Sequence, residues 1–306
     1  MEPALFARIF LPVLLVAGSA NAEEARESTE GETGPHEQWN DVCTDWDEWD
    51  KPGAPYRIFA NTYYVGTCGI SAILVTTPGG NVLFDTGTRG GAEVVARNIQ
   101  QLGYELSDVS VVTHSHEHFD HVGGFAWFTE QSGASVFASQ VGAEVLQSGV
   151  VGADDPQHGM HEPMEPVDVA LVIDEARAFE IGDMLFTSIA TPGHTPGALT
   201  WHWESCEIEA ENKVCKAIVY ADSLSPVSRD DYKFSEHPEY LAEYRAGIAK
   251  LRDLKCDILL TPHPSHSNMV ERAATGTLEG GMSCVEYADS KSKALDERLA
   301  NEAVAK

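Results

Sequence analysis

The chain has 306 residues, 43% of them hydrophobic and 22% charged, and a formal net charge of −28 at pH 7. So acidic a chain would be repelled by the phosphates of nucleic acids and of anionic membranes, which excludes both as partners. No internal repeat or linker-like stretch divides it, so one large domain is expected.

The first element in chain order is the apolar run Ile9–Ala17 behind Arg8, followed by small residues ending Ala20-Asn21-Ala22. The run is too short to span a bilayer and reads as a signal peptide, residues 1–22, cleaved after Ala22. Export to the periplasm and a mature protein free of the membrane follow as expectations. Residues 23–37 are rich in Glu, Gly, Ser and Thr without apolar periodicity, the composition of a disordered acidic leader. Residues 38–306 remain as the single folded domain.

Within that domain, Arg57–Val65, Ile70–Thr77 and Asn81–Asp85 are β-rich runs separated by glycine turns, a pattern that predicts an antiparallel meander. A helix is predicted over Ala92–Leu102, a strand over Val109–Thr113, a helix over Val122–Gln131 and a short strand over Ser135–Ala138. Gly149–Pro166 contains His158, His161 and three prolines and reads as a surface loop. Strands follow at Val169–Ile173, Met184–Thr191, Ala198–Glu204 and Lys216–Tyr220. His237–Leu254 reads as a helix, Asp257–Thr261 as a strand, and the tail after Cys284 as a last helix. Two strand-rich halves, each followed by helices, predict two packed sheets with helices outside, an α/β sandwich of αββα type.

Six cysteines in an exported chain point to disulfides, although six allow fifteen pairings. Cys206 and Cys215 flank a polar segment between two strand-like runs, where a bridge across a hairpin is natural. The other four, Cys43, Cys68, Cys256 and Cys284, have no CxxC spacing.

The segment Thr113–Gly124 reads THSHEHFDHVGG. His116, His118, Asp120 and His121 stand within it just past the buried-strand pattern of Val109–Val112. Imidazole and carboxylate are the usual donors to a catalytic zinc, and the end of a strand is where α/β proteins build sites. Two further histidines occupy the same kind of place. His194 lies in TPGHTPG and His263 in TPHP, each stiffened by prolines.

Together HEHFDHVGG, TPGHTPGALTW, ADSLSP and CDILLTPHP resemble the metallo-β-lactamase superfamily, and within it the third subclass of metallo-β-lactamases, over about Trp39–Glu286. The resemblance implies the αββα fold, with the metal site at one edge of the two sheets, and two zinc ions per chain. His116, His118 and His194 would hold the first ion, and Asp120, His121 and His263 the second. It implies that Ser223 and Ser225 bind the substrate carboxylate, with a serine where other subclasses place a cysteine ligand. Asp120 would also orient the nucleophile. The implied disulfides are Cys43–Cys68, Cys206–Cys215 and Cys256–Cys284. His114 and His266 fall outside the family ligand positions. His158 and His161 are expected near the mouth of the site, and His36, His202 and His237 have no motif around them.

The implied reaction is hydrolysis of the β-lactam amide of penicillins, cephalosporins and carbapenems by a metal-held hydroxide, without a covalent intermediate, conferring antibiotic resistance on a periplasmic host. The expected partner is the small-molecule β-lactam, and the expected state a monomer. No SxxK or GxSxG motif offers a nucleophilic serine. The alternative is a metallo-hydrolase of the same fold acting on a thioester, lactone or phosphodiester. Asp222 is its main support, because an aspartate in such a segment bridges both metals in many relatives. A non-catalytic metal-binding protein is the third reading.

Overall fold

Alternating burial along the strands and apolar stripes along the helices assemble the chain into four layers. The structure is a computed structural model describing residues 34–173 and 178–304, all within one compact unit. The signal-peptide reading, and all of the leader before Gly34, lie outside the described residues.

Seven strands form the first sheet in sequential order. These are β1 (Tyr56–Phe59), β2 (Thr62–Tyr64), β3 (Ile73–Val75), β4 (Asn81–Phe84), β5 (Val109–Thr113), β6 (Ser135–Ser139) and β7 (Leu171–Ile173). β1 to β4 are antiparallel, as the predicted meander requires, and β4 to β7 run parallel. The second sheet has the order β12-β11-β10-β9-β8, from β8 (Ala178–Ile181), β9 (Met184–Ala190), β10 (Leu199–Glu209), β11 (Asn212–Tyr220) and β12 (Ile258–Leu260).

The main core lies between the sheets. Phe84 stacks on Trp203 with ring centroids 5.0 Å apart, and Trp201, Phe186, Tyr220, Tyr56 and Leu260 pack around them. A second cluster covers the outer face of the first sheet with α2 (Arg89–Gln101), α4 (Phe125–Ser132) and α5 (Gln140–Ser148). A third covers the second sheet with α6 (Pro238–Arg252) and α8 (Cys284–Val304). This is the αββα sandwich that the sequence predicts.

Several boundaries differ for identifiable reasons. α1 (Pro35–Val42) begins inside the segment read as leader, because Glu37 accepts the backbone N–H of Gly34 and Trp39 is fully buried. The run Arg57–Val65 is two strands, turned at Ala60 with φ 48°. The helix predicted over Val122–Gln131 is α3 (Phe119–Val122) and then α4, broken at Gly123-Gly124. A Cβ on Gly124 would collide with Ala92, so a glycine there lets α4 close on α2. α5, α7 (Met269–Ala273) and β8 were not predicted. The polar segment between Cys206 and Cys215 continues both strands into one long hairpin. Gly149–Pro166 has no regular element, but it is not only surface: Asp155 and Gln157 are buried.

Candidate metal centre

Every chemically distinctive side chain leaves the same edge of the two sheets. Asp85 follows β4, His116–His121 follow β5, His194 sits between β9 and β10, Asp222 and Ser223 follow β11, and His263 follows β12. α3 turns His121 back against Asp120, with Nε2 of His121 3.1 Å from Oδ2 of Asp120. Glu117, fully buried, accepts the Thr195 hydroxyl and the Gly197 N–H at 2.7 Å each, tying the β5 loop to the His194 loop. Burial pushes its carboxyl up to about 7. A Cβ at Gly193 would collide with the ring of Tyr244, so this glycine lets the His194 loop lie on α6.

Donor spacing tests whether a metal fits. A tetrahedral zinc with ligands at 2.0–2.2 Å sets its donors roughly 3.3 Å apart. Oδ2 of Asp120, Nε2 of His121 and Nε2 of His263 lie 3.1, 3.4 and 3.4 Å from one another. Donor atoms of His116, His118 and His194 all lie within 4.8 Å of one another, as do those of His116, Asp120 and His121. His116 Nε2 is buried and has no hydrogen-bond partner among the described residues.

For each of the five histidines in these triads, one ring nitrogen has a partner outside the donor cluster; the other nitrogen of His194 also lies 3.4 Å from Gln157 Nε2. His116 Nδ1 lies 2.9 Å from Asp222 Oδ1, and His118 Nε2 3.2 Å from Asp155 Oδ2. His121 Nδ1 lies 3.2 Å from Asp85 Oδ2. His194 Nδ1 donates to the Ser225 carbonyl at 2.9 Å, and His263 Nδ1 to the Gly69 carbonyl at 3.3 Å. Such partners fix tautomer and ring orientation in metal sites. Asp85 is itself held by the Ser115 N–H and hydroxyl at 2.7 Å and by the Tyr220 hydroxyl at 2.6 Å. The residues present therefore fit two adjacent metal ions.

The clustered donors perturb one another's ionisation strongly. Burial, then the neighbouring imidazoles, hold His116 and His194 well below the usual histidine range. Burial also disfavours charge on His121, but Asp120 and Asp85 outweigh it and push it up to about 10. Burial raises the carboxyl of Asp222 to about 7, whereas His121 and His263 hold Asp120 well below the usual carboxylate range despite its burial.

A cavity of about 420 Å³ opens onto the donors and is lined by His118, Asp120, His194 and His263, with Ser223, Ser225 and Gln157. Trp46 and Trp49 give it an aromatic wall. A cleft of about 470 Å³ beside Arg229, Tyr232 and Tyr240 is larger but contains none of these donors.

The remaining histidines divide clearly. His114 is a core residue, its Nε2 accepting the Ser139 N–H at 3.1 Å. His161 and His266 line the cavity, and His158 donates to the Val151 carbonyl nearby. His36 packs on Tyr56 and His237 stacks on Tyr232, both away from the donors, and His202 lies along β10. Asp85, Asp155, Gln157 and Lys291 are the participants that sequence reasoning missed. The disulfides join Cys43 to Cys68, Cys206 to Cys215 and Cys256 to Cys284, the pairing that the resemblance implies.

Residues 65–208 match the family model of the metallo-β-lactamase superfamily. The solved MIM-2 metallo-β-lactamase is 49% identical, with 88% of this chain and 98% of that chain covered and a TM-score of 0.82. The chain belongs to the metallo-β-lactamase superfamily. MIM-1 from Novosphingobium pentaromativorans is 40% identical over 88% of this chain and 98% of that one, at a TM-score of 0.83. MEM-A1, a subclass B3 metallo-β-lactamase from a soil metagenome, is 36% identical over 85% and 100%, at 0.80. This agreement along the full length places the chain beside subclass B3. Probable metallo-hydrolases of Mycobacterium bovis and Mycobacterium tuberculosis are 54% identical over 39 residues only, so the chain spans 13% of the length of these curated relatives.

Proposed function

We propose that the chain hydrolyses the amide bond of β-lactam antibiotics, using two zinc ions held as two triads. His116, His118 and His194 form one, and Asp120, His121 and His263 the other. The observation that carries this reading is the clustering of six donors, the five imidazoles each with a partner on the opposite nitrogen, with four of the six lining one cavity that also holds two serine hydroxyls. The likeness to subclass B3 metallo-β-lactamases over nearly all of their length supports the substrate class. When bound, zinc supplies a Lewis acid for the amide carbonyl and lowers the pKa of water toward neutrality.

The chain's own residues do the rest. Asp120 has a second carboxylate oxygen with which to accept a proton from the attacking water and so aim it. Ser223 Oγ is buried without a partner and borders the cavity, ready to donate to the carboxylate of a bicyclic β-lactam, with Ser225 beside it. Trp46 and Trp49 shield the substrate from water. Ser223 has no base beside it, and the partner of Ser225 is the Lys291 ammonium, which donates to its hydroxyl, so direct attack by water is the reading proposed.

Asp222 no longer supports the alternative substrates. Its Oδ1 is against His116 Nδ1 and its Oδ2 accepts the Leu224 N–H at 3.0 Å, so it braces a ligand and the loop. Export through the N-terminal signal, a periplasmic location, a monomeric state and a role in resistance complete the proposal. The test is turnover of a chromogenic cephalosporin by the purified mature protein, with and without a chelator. Chelator-sensitive hydrolysis is expected. Turnover of a thioester or lactone with none of any β-lactam would overturn the proposal.

A further inference from the structure

Lys291 is an unusual residue in this molecule. It lies on α8, is only 8% exposed, and is paired with no carboxylate among the described residues. An ammonium buried without a directly paired carboxylate costs stability, so a carboxylate arriving beside it would be favoured. Its Nζ donates to Ser225 Oγ at 3.0 Å and lies 4.8 Å from the ring centroid of Tyr287. One turn earlier on the same helix, the Tyr287 hydroxyl donates to the carbonyls of Asp222 and Ser223 at 3.0 and 2.9 Å. α8 thus holds the whole Asp222–Ser225 segment from behind, with a tyrosine for its backbone and a lysine for its hydroxyl. The front of that segment faces the cavity, where Ser223 Oγ and the Nδ1 of His266 are buried and unpartnered.

We propose that Lys291 is a positioning residue that, through Ser225, supplies the positive charge against which the carboxylate of the substrate docks. This rests on the β-lactamase reading above. The ammonium occupies a lone pair of Ser225 Oγ and strengthens the hydroxyl as a donor; its proton goes to the Ser223 carbonyl at 3.2 Å, and a substrate carboxylate would compete with that weak acceptor for it. The charge reaches the substrate without a cationic side chain in the cavity itself. Its carboxylate becomes the counter-ion that the buried lysine lacks.

The test uses one cephalosporin as the free acid and as its methyl ester. For Lys291→Met, KM for the acid should rise about tenfold, kcat should fall by a smaller factor, and KM for the ester should move far less. Lys291→Arg, which keeps the charge, should recover part of the loss. In a Ser225→Ala background, Lys291→Met should add little, because the charge acts through that hydroxyl. Lys291→Gln provides a second neutral variant should the methionine fail to fold. Equal losses for acid and ester, or an undiminished effect in Ser225→Ala, would overturn the role of Lys291 while leaving the β-lactamase reading intact. Failure of the wild-type protein to open either compound would overturn both.

Discussion

Asp222 Oδ1 lies 2.9 Å from Nδ1 of His116, and the Nε2 of that ring is left buried and unpartnered beside the other donors. On the proposed two-metal reading, the aspartate would act by orienting His116. Asp222→Asn keeps the shape and an oxygen beside His116 Nδ1, and should retain both ions while lowering zinc affinity by roughly 10–100-fold. Asp120→Asn should lose the second ion. Zinc stoichiometry after gel filtration, with chelator competition for affinity, separates the two. Loss of both ions from Asp222→Asn would mean that this carboxylate binds metal directly.

The candidate metal donors are legible because they are local in sequence or stand in marked turns. HxHxDH follows a β-branched strand, and prolines flank His194 and His263. Their supports are not. Asp155 reaches His118 from an irregular loop, and Lys291 meets Ser225 across 66 residues from a helix whose sequence reads as a solvated acidic-basic tail. No local periodicity marks either one, since both become special only when the sheets and α8 close around them. The same holds for β8, whose half-exposed Ala178–Ile181 pairs with β9 without a buried-strand pattern of its own. α5 escaped notice for a different reason. It is capped by the Ser139 hydroxyl, which accepts the Gly142 N–H at 3.0 Å, but that glycine in its first turn disguises it as a loop.

The two triads should not be equal. The His263 side chain in the second triad is 15% exposed, whereas those of His116 and His118 in the first are 0% and 2% exposed. His263→Ala should bind one zinc per chain and lose most activity, and wild-type protein titrated with a chelator should release its ions in two steps. Metal analysis finding a single tightly held ion with full activity would refute the two-metal proposal.

The disulfides should separate stability from function. Cys206 and Cys215 stand opposite one another in the β10–β11 hairpin, nine residues apart, and replacing both by Ala should cost about 2.5 kcal/mol with zinc content and KM unchanged. Cys256 and Cys284, 28 residues apart, tie the chain before β12 to the first turn of α8. Replacing that pair should cost about 3.5 kcal/mol. It should also raise KM for carboxylate substrates, because the freed helix end precedes Tyr287 and Lys291. Denaturant unfolding and steady-state kinetics on the two double variants decide this.

A last expectation concerns alkaline pH. Burial lowers Lys291 from 10.5 to about 8, against the opposing field of Asp222. Besides Asp222, the titratable groups around it are Tyr287 on its own helix and His266 across the cavity, whose neutral form is favoured by burial and by Lys291 itself. Below about 8 the ammonium is charged and can serve a carboxylate; as pH rises through that value the charge is lost. The ratio of kcat/KM for the acid to that for the ester should therefore fall above about pH 8, a ratio that cancels any titration of the metal centre common to both. Stability should move the opposite way. The unfolded chain keeps this proton up to about 10.5, so folding gains from this group as pH rises from about 8 toward that value. In Lys291→Met both effects should vanish, and an acid-to-ester ratio that still falls in that variant would assign the alkaline limb to another group.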